Sequence, residues 1–284
     1  MTNDEYTDLR YAVDGHVATI TFARPDKMNA FRARTMGEFL TARDRVDADD
    51  DVRAVVVTGE GRAFCAGADV SGGASAFEPP TAAGAAVAAK ETPRDGGGIL
   101  ALRIHALKKP IIAAINGASV GMGATMTLPM DVRIASVKAR FGFVFVRRGI
   151  IPEGCSSWFL PRVVGIGTAS EWMLTGRLIE AAEALATGLV RSLHEPDDVL
   201  PAAYALAREI SENAAPVSAA MTRQLLHRML AEADPMVAHR AESRGLASRS
   251  RSGDAREGVE SFLEKRSPAF ADRVADADLD IFAG

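Results

Sequence analysis

Residues Ala54 to Val70 read AVVVTGEGRAFCAGADV, and the fold is decided by this stretch. It begins as a β-branched run that closes on Gly59 and Gly61, the pattern of a strand buried in a sheet. Ala66-Gly67-Ala68-Asp69 then supplies residues small enough for the backbone to approach a ligand and turn its amides toward it. The same residues suit a tight strand-to-helix turn with no ligand, and the stretch alone does not separate the two.

Outward from it, Val17 to Phe22 (VATITF) is a second strand of this kind. Between the two, Arg34 to Val46 places Met36, Phe39, Leu40 and Val46 at roughly helical spacing among charged residues. Strand, helix, strand predicts a crossover and a mostly parallel sheet. Ile111 to Ile115 and Val132 to Ala135, with a short helix from Gly121 to Leu128 between them, repeat the pattern, so the fold class is α/β. The segment from Ser71 to Gly98 is crowded with Gly, Ala and Pro and reads as a mobile surface excursion.

After Leu200 the pattern turns helical, with stretches over Pro201 to Asn213, from Pro216 onward, over Pro235 to Arg249 and over Asp254 to Arg266. Asp254 with Glu257, and Thr168 with Glu171, have capping-box spacing. The expected organisation is a core over residues 1–200, interrupted by the 71–98 excursion, and a helical region over 201–284.

Composition narrows the function. A chain of 284 residues that is 48% hydrophobic and 25% charged buries a large core, which excludes disorder, collagen and disulfide scaffolds. Thirty-three Lys and Arg against thirty-seven Asp and Glu leave a net charge of −4, without the basic footprint of a nucleic-acid binder. The uncharged run Ile111 to Met130 carries Asn116, Ser119, Thr125, Thr127, Pro129 and three glycines, a poor membrane span. Cys65 and Cys155 form no CxxC or Cys/His cluster, and His16, His105, His194, His227 and His239 stand in no metal pattern. No metal and a reducing cytoplasm are therefore expected, and the acidic Met1 to Asp8 lacks the features of a secretory signal.

A second amide-bearing turn lies in Pro110 to Thr125, PIIAAINGASVGMGAT. Its strand ends at Asn116-Gly117, and Gly121-Met122-Gly123 opens a helix, so unpaired amides and the positive end of a helix converge. Two such turns can polarise one oxygen, which is an oxyanion hole suited to a carbonyl becoming an enolate or a tetrahedral oxyanion. Gly117-Ala118-Ser119-Val120-Gly121 also fits G-x-S-x-G, and Asp198 and His227 follow in the order a serine hydrolase needs. That reading leaves FCAGADV and the earlier RPDKMNAF unexplained.

With Arg24 to Phe31, RPDKMNAF, the two turns together resemble the enoyl-CoA hydratase/isomerase (crotonase) superfamily. The resemblance runs on through Phe141 to Leu160, Leu174-Thr175-Gly176, Ala181 to Val190 and EGVESFLEKR at Glu257 to Arg266, nearly the whole chain outside the excursion. It implies a spiral of repeated ββα units with a C-terminal helical region that packs homotrimers or dimers of trimers. It also implies a coenzyme A thioester as substrate and no tightly bound cofactor. On the same resemblance the backbone amides of Ala66 and Met122 hold the acyl carbonyl, with Met122 standing where glycine is usual and narrowing the acyl pocket. Lys27, Met28, Ala30, Ala68, Asp69 and Val70 surround the CoA, while Phe262 and Lys265 reach a CoA, sometimes from the adjacent subunit.

The departures carry the functional reading. A hydratase of this superfamily with two glutamates would have them where this chain has Thr125 and Phe145. Glu153, in Ile151-Pro152-Glu153-Gly154, stands where peroxisomal-type Δ3,Δ2-enoyl-CoA isomerases carry their one catalytic glutamate, and Cys155-Ser156-Ser157 resembles the same branch. Moving a double bond from C3 to C2 takes a proton from C2 and returns it to C4, which one carboxylate can do. Adding water activates it at C3 and protonates C2, which is easier with two groups. The expectation is an isomerase with Glu153 as acid and base; a hydratase using Glu153 alone is the alternative, and a non-catalytic acyl-CoA-binding protein the third. Thr125, Phe145 and Trp158 line the expected pocket, with Phe143, Phe145 and Trp158 raising the Glu153 pKa and Arg147 or Arg148 lowering it. Pro152-Glu153 also makes a good helix start on dipole grounds alone.

Overall fold

In the computed structural model, which describes residues 6–73 and 94–282, ten strands form two sheets. The larger has the order β1 (Leu9–Asp14), β2 (Val17–Phe22), β3 (Ala54–Gly59), β5 (Ile111–Ile115), β7 (Val132–Ser136) and β10 (Ser192–His194). The smaller runs β4 (Ala63–Cys65), β6 (Ala118–Val120), β8 (Arg140–Gly142) and β9 (Leu178–Glu180). Three successive pairs, β3–β4, β5–β6 and β7–β8, each give one strand to each sheet, so the chain takes the same step three times. From β2 through β10 the large sheet is parallel, as the predicted crossovers require, and only the β1–β2 hairpin is antiparallel.

The strands read as unbroken apolar runs because both faces of the large sheet are covered. Val55, Val57, Ile111, Ala113 and Ile115 face one core with Phe22, Phe39, Phe64, Leu100 and Ile104. Their alternates Ala54, Val56, Ile112 and Ala114 face a second core with Val199, Ala203 and Ala207 of the Val199–Asn213 helix. That helix is therefore part of the sheet core, and the boundary expected at residue 200 runs through it.

Two further readings change. Gly96–Gly98, placed at the end of the excursion, open the Gly96–His105 helix, with Gly97 and Gly98 buried; residues 74–93, the bulk of the excursion, lie outside the described residues. Neither capping box forms. Thr168 lies inside the Ile166–Thr175 helix, and the Gly253–Glu264 helix is capped by Ser252, whose hydroxyl accepts from the Ala255 amide at 3.1 Å. Asp254 is buried and accepts instead from the Ala271 and Asp272 amides at 2.8 and 3.1 Å, while Glu257 takes the Ala269 amide. A carboxylate offered amides of the returning tail satisfies them rather than its own helix start. The tail continues to the turn before β3: Arg53 donates to the Phe270 carbonyl at 2.9 Å, and the Ala275 amide donates to Asp50 at 3.2 Å.

The Pro216–Met229 helix is fixed by Arg223, whose side chain is 4% exposed. It pairs with Asp131 at 2.9 Å and donates to the carbonyls of Ile104, His105, Leu107 and Pro129, among them carbonyls at the end of the Gly96–His105 helix. No helix among the described residues is long and apolar enough to cross a membrane. Replacing Arg223 with leucine takes the guanidinium from Asp131, which keeps the Ile111 amide and His227, and removes its donors from the carbonyls of Ile104, His105, Leu107 and Pro129. Urea unfolding of Arg223→Leu is expected to show a loss of about 3–5 kcal/mol, and a loss below about 1 kcal/mol would contradict this role.

Candidate active site

RPDKMNAF is stitched to FCAGADV by backbone and side-chain bonds. Met28 and Asn29 adopt left-handed conformations (φ 50° and 57°), which folds the loop so that buried Asn29 donates to the Glu60 and Ala63 carbonyls at 3.0 and 2.8 Å. The Phe31 amide donates to the Gly67 carbonyl at 2.7 Å and the Asp69 amide to the Phe31 carbonyl at 2.8 Å. Arg24 then bridges the loops, pairing with Asp69 at 2.9 Å and donating to the Ala30 carbonyl. Ser71 and Arg24 hold the Asp69 carboxyl well below the usual carboxylate range. Lys27, Met28, Ala30, Ala68, Asp69 and Val70 are thus brought onto one joined pair of loops, where Lys27 and Val70 are exposed.

The second turn meets the first with almost no space between them. A β-carbon on Gly67 would lie 2.9 Å from the Val120 carbonyl oxygen, and one on Gly123 would lie 2.1 Å from the Cys65 carbonyl oxygen. Contact this close corrects one expectation. The Ala66 amide donates to the Met28 carbonyl at 3.0 Å, so it is engaged within the protein. Two residues on, the half-buried Ala68 has an amide with no acceptor among the described residues, as does Met122 at the first position of its short helix. Unengaged amides therefore stand on both of the turns that touch, Ala68 on one and Met122 on the other.

Glu153 approaches from the segment before the Ser156–Val164 helix. Its Oε1 accepts a 2.6 Å hydrogen bond from the hydroxyl of Thr125, itself 1% exposed, and its Oε2 is buried with no hydrogen-bond partner. Thr125, which the sequence places only as lining, is the group that orients the carboxyl. Glu153 fits because residue 97 is glycine: a β-carbon there would fall 1.2 Å from Oε2. Burial pushes the Glu153 carboxyl up to about 6, the Thr125 bond opposes this, and the neighbouring Asp95 carboxylate adds to it.

Asp95 is the residue that sequence reasoning missed. It caps the Gly96–His105 helix, accepting from the Gly98 amide at 2.6 Å, and the Gly154 amide points at the same oxygen from 3.5 Å. An Asp just before a helix is a cap signal, but here three glycines follow it and disguise the helix start as a loop.

Ser119 is fully buried and donates to the Gly123 carbonyl at 2.8 Å, while His227 bonds Asp131 at 2.7 Å rather than Asp198, so no hydrolase triad forms. Phe145 is buried, and Phe143 stacks on Trp172 in the core. Trp158 packs edge-on against His105 and Phe159 with Arg162 over its face. Arg147 donates to the Thr175 carbonyl, and neither it nor Arg148 is among the groups that shift Glu153. Phe262 is 79% exposed and Lys265 ends its helix in a left-handed turn; neither bonds to the two loops among the described residues. Nor is there, among the described residues, a group of three or more His, Cys, Asp or Glu able to hold a metal ion.

The fit of Glu153 over Gly97 gives a sharp test. Gly97→Ala is expected to lower turnover by about a hundredfold by displacing the carboxyl, while thermal stability holds or rises because alanine favours a helix by up to about 1 kcal/mol. Full activity in this variant would mean that Glu153 does not work from the observed position.

Comparison with known proteins agrees with this architecture. The family model described as enoyl-CoA hydratase/isomerase matches residues 13–273. An enoyl-CoA hydratase of Alternaria alternata is 43% identical over 259 residues, covering 91% of this chain and 84% of its own length. The 1,2-epoxyphenylacetyl-CoA isomerase of Escherichia coli is 32% identical over 91% of this chain and 96% of its own. Among solved structures, an enoyl-CoA hydratase from Bacillus anthracis superposes with a TM-score of 0.84 at 27% identity, covering 93% of this chain and 99% of that one. The two-sheet spiral is the crotonase fold, and the chain belongs to the enoyl-CoA hydratase/isomerase family.

Proposed function

We propose that this enzyme binds a coenzyme A thioester with its acyl oxygen against the amides of Ala68 and Met122, and that Glu153 shifts a double bond from C3 to C2. The observation that carries the reading is the Glu153 carboxyl, half-buried, fixed by Thr125 on one oxygen and unpartnered on the other. Removing a proton from C2 puts negative charge on the thioester oxygen, where two fixed N–H groups stabilise it without reorganising. The same carboxyl, now protonated, returns the proton at C4. A pKa of about 6 suits both halves, since the group is mostly ionised at neutral pH yet holds a proton longer than an ordinary glutamate. The joined loops at residues 27–30 and 68–70 are the surface assigned to the CoA, and no tightly bound cofactor is needed for these steps.

A second reading, hydration of a 2-enoyl thioester, is favoured by the hydratase names of relatives such as those from Alternaria alternata and Clostridium acetobutylicum. Incubation with matched 2-trans-enoyl-CoA and 3-enoyl-CoA in deuterated water separates the two. Double-bond movement with no 3-hydroxyacyl product is the expected result, with solvent deuterium at C4 only as far as the protonated carboxyl exchanges before it returns the hydrogen; a 3-hydroxyacyl product would establish hydration instead.

Glu153→Gln is expected to cut turnover at least a hundredfold while leaving acyl-CoA binding intact. Wild-type kcat should rise with pH through about 6 and then level, because the base must be ionised. Stability moves the opposite way. Burial disfavours the charged carboxyl in the folded state, so this group's contribution is full below its ordinary value near 4.5 and is lost as pH rises through about 6. Glu153→Gln should therefore be about 2 kcal/mol more stable than wild type at pH 8, with the gain vanishing toward pH 4, read by denaturant unfolding at both pH values.

A further inference from the structure

Asp95 sits closer to the chemistry than a helix cap needs to. Its Oδ1 is held by the Gly98 amide at 2.6 Å and faces the Gly154 amide, the residue next to Glu153, at 3.5 Å. Between them lies Gly97, whose missing side chain is the space that Glu153 Oε2 fills. One carboxylate thus caps the turn of helix against which the other rests. Asp95 is exposed, and as a cap it brings a second negative charge to the corner where the half-buried Glu153 rests. A serine cap would start the helix without the charge.

We infer that Asp95 is a positioning residue for Glu153: from the cap of the glycine-rich helix it fixes the turn against which that carboxyl lies and sets a negative charge at the same corner. This rests on the reading of Glu153 as the acid and base. Among the described residues, the other titratable groups at this corner are Cys155, on the segment of Glu153, and Arg94, beside Asp95. The Cys155 thiol is pushed up by burial and by the two carboxylates, so it stays neutral in the working range, and Arg94 opposes that rise. The Thr125 hydroxyl is neutral and pulls the other way from Asp95. Among the described residues Asp95 is the one negative charge from another element that acts on Glu153, which makes it the group to alter.

Asp95→Asn keeps a good cap and removes the charge. Carbon-13 NMR titration of protein labelled at the glutamate carboxyl carbons, with the Glu153 resonance assigned from its loss in Glu153→Gln, reads the coupling without any substrate. The Glu153 midpoint is expected to fall by about 0.5–1 unit in Asp95→Asn, with the acid limb of the kcat profile, and of hydrogen exchange at C2 of an acyl-CoA, moving by the same amount. An unmoved midpoint in folded Asp95→Asn would overturn the inference. If that variant does not fold, Asp95→Ser, another uncharged cap, decides by the same titration. Should the midpoint move while wild type turns over no enoyl-CoA and exchanges no C2 proton, the coupling stands and the reading of Glu153 as acid and base falls.

Discussion

The approach of Gly67 to Val120 and Gly121, with Gly123 against the Cys65 carbonyl, admits no β-carbon at the contact. Every other part of the site is arranged around that constraint. Because the backbones touch, the amides of Ala68 and Met122 sit on adjoining turns, and because Ala66 is tied to Met28, its own amide is not available there. The smaller sheet supplies the rigidity: one turn leaves β4 and the other leaves β6, and those two strands pair with each other. Preorganised donors of this kind need no rearrangement when charge develops, which is the physical basis of their catalytic value.

The Glu153 carboxyl is set by two unlike devices. Thr125 provides a hydrogen bond, and Gly97 provides an absence. A threonine beside one glutamate gives a carboxyl a fixed direction without adding a second negative charge, which a glutamate at the same position would do. The negative charge that is present comes instead from Asp95, the cap of the Gly96–His105 helix.

How legible this was varied with the range of the interaction. The strands at Val17–Phe22, Ala54–Gly59, Ile111–Ile115 and Val132–Ser136 announce themselves because both faces are buried, and the composition follows directly. Glu153 was found through its motif, and its environment was not. Which of Ala66 and Ala68 has a free amide depends on the carbonyl of Met28 in another loop, and no local pattern encodes that meeting. Asp254 and Glu257 have the spacing of a capping box, but distant amides of the tail take them first. Asp95 lay hidden in a glycine-rich run that reads as loop, since glycine weakens a helix and the requirement it meets here, room for another residue's carboxyl, is tertiary.

The tail that returns over the Gly253–Glu264 helix has a consequence for how the molecule comes apart. Its residues Phe270 and Ala275 bond to Arg53 and Asp50, in the turn that leads into β3, so the last stretch of chain is laced to the first crossover. A fluctuation that frees the end of the chain also loosens the entrance to β3, the strand that precedes β4 and its FCAGADV turn. The amide turn and the C-terminal tail therefore belong to one cooperative unit of opening, although more than half the sequence lies between them.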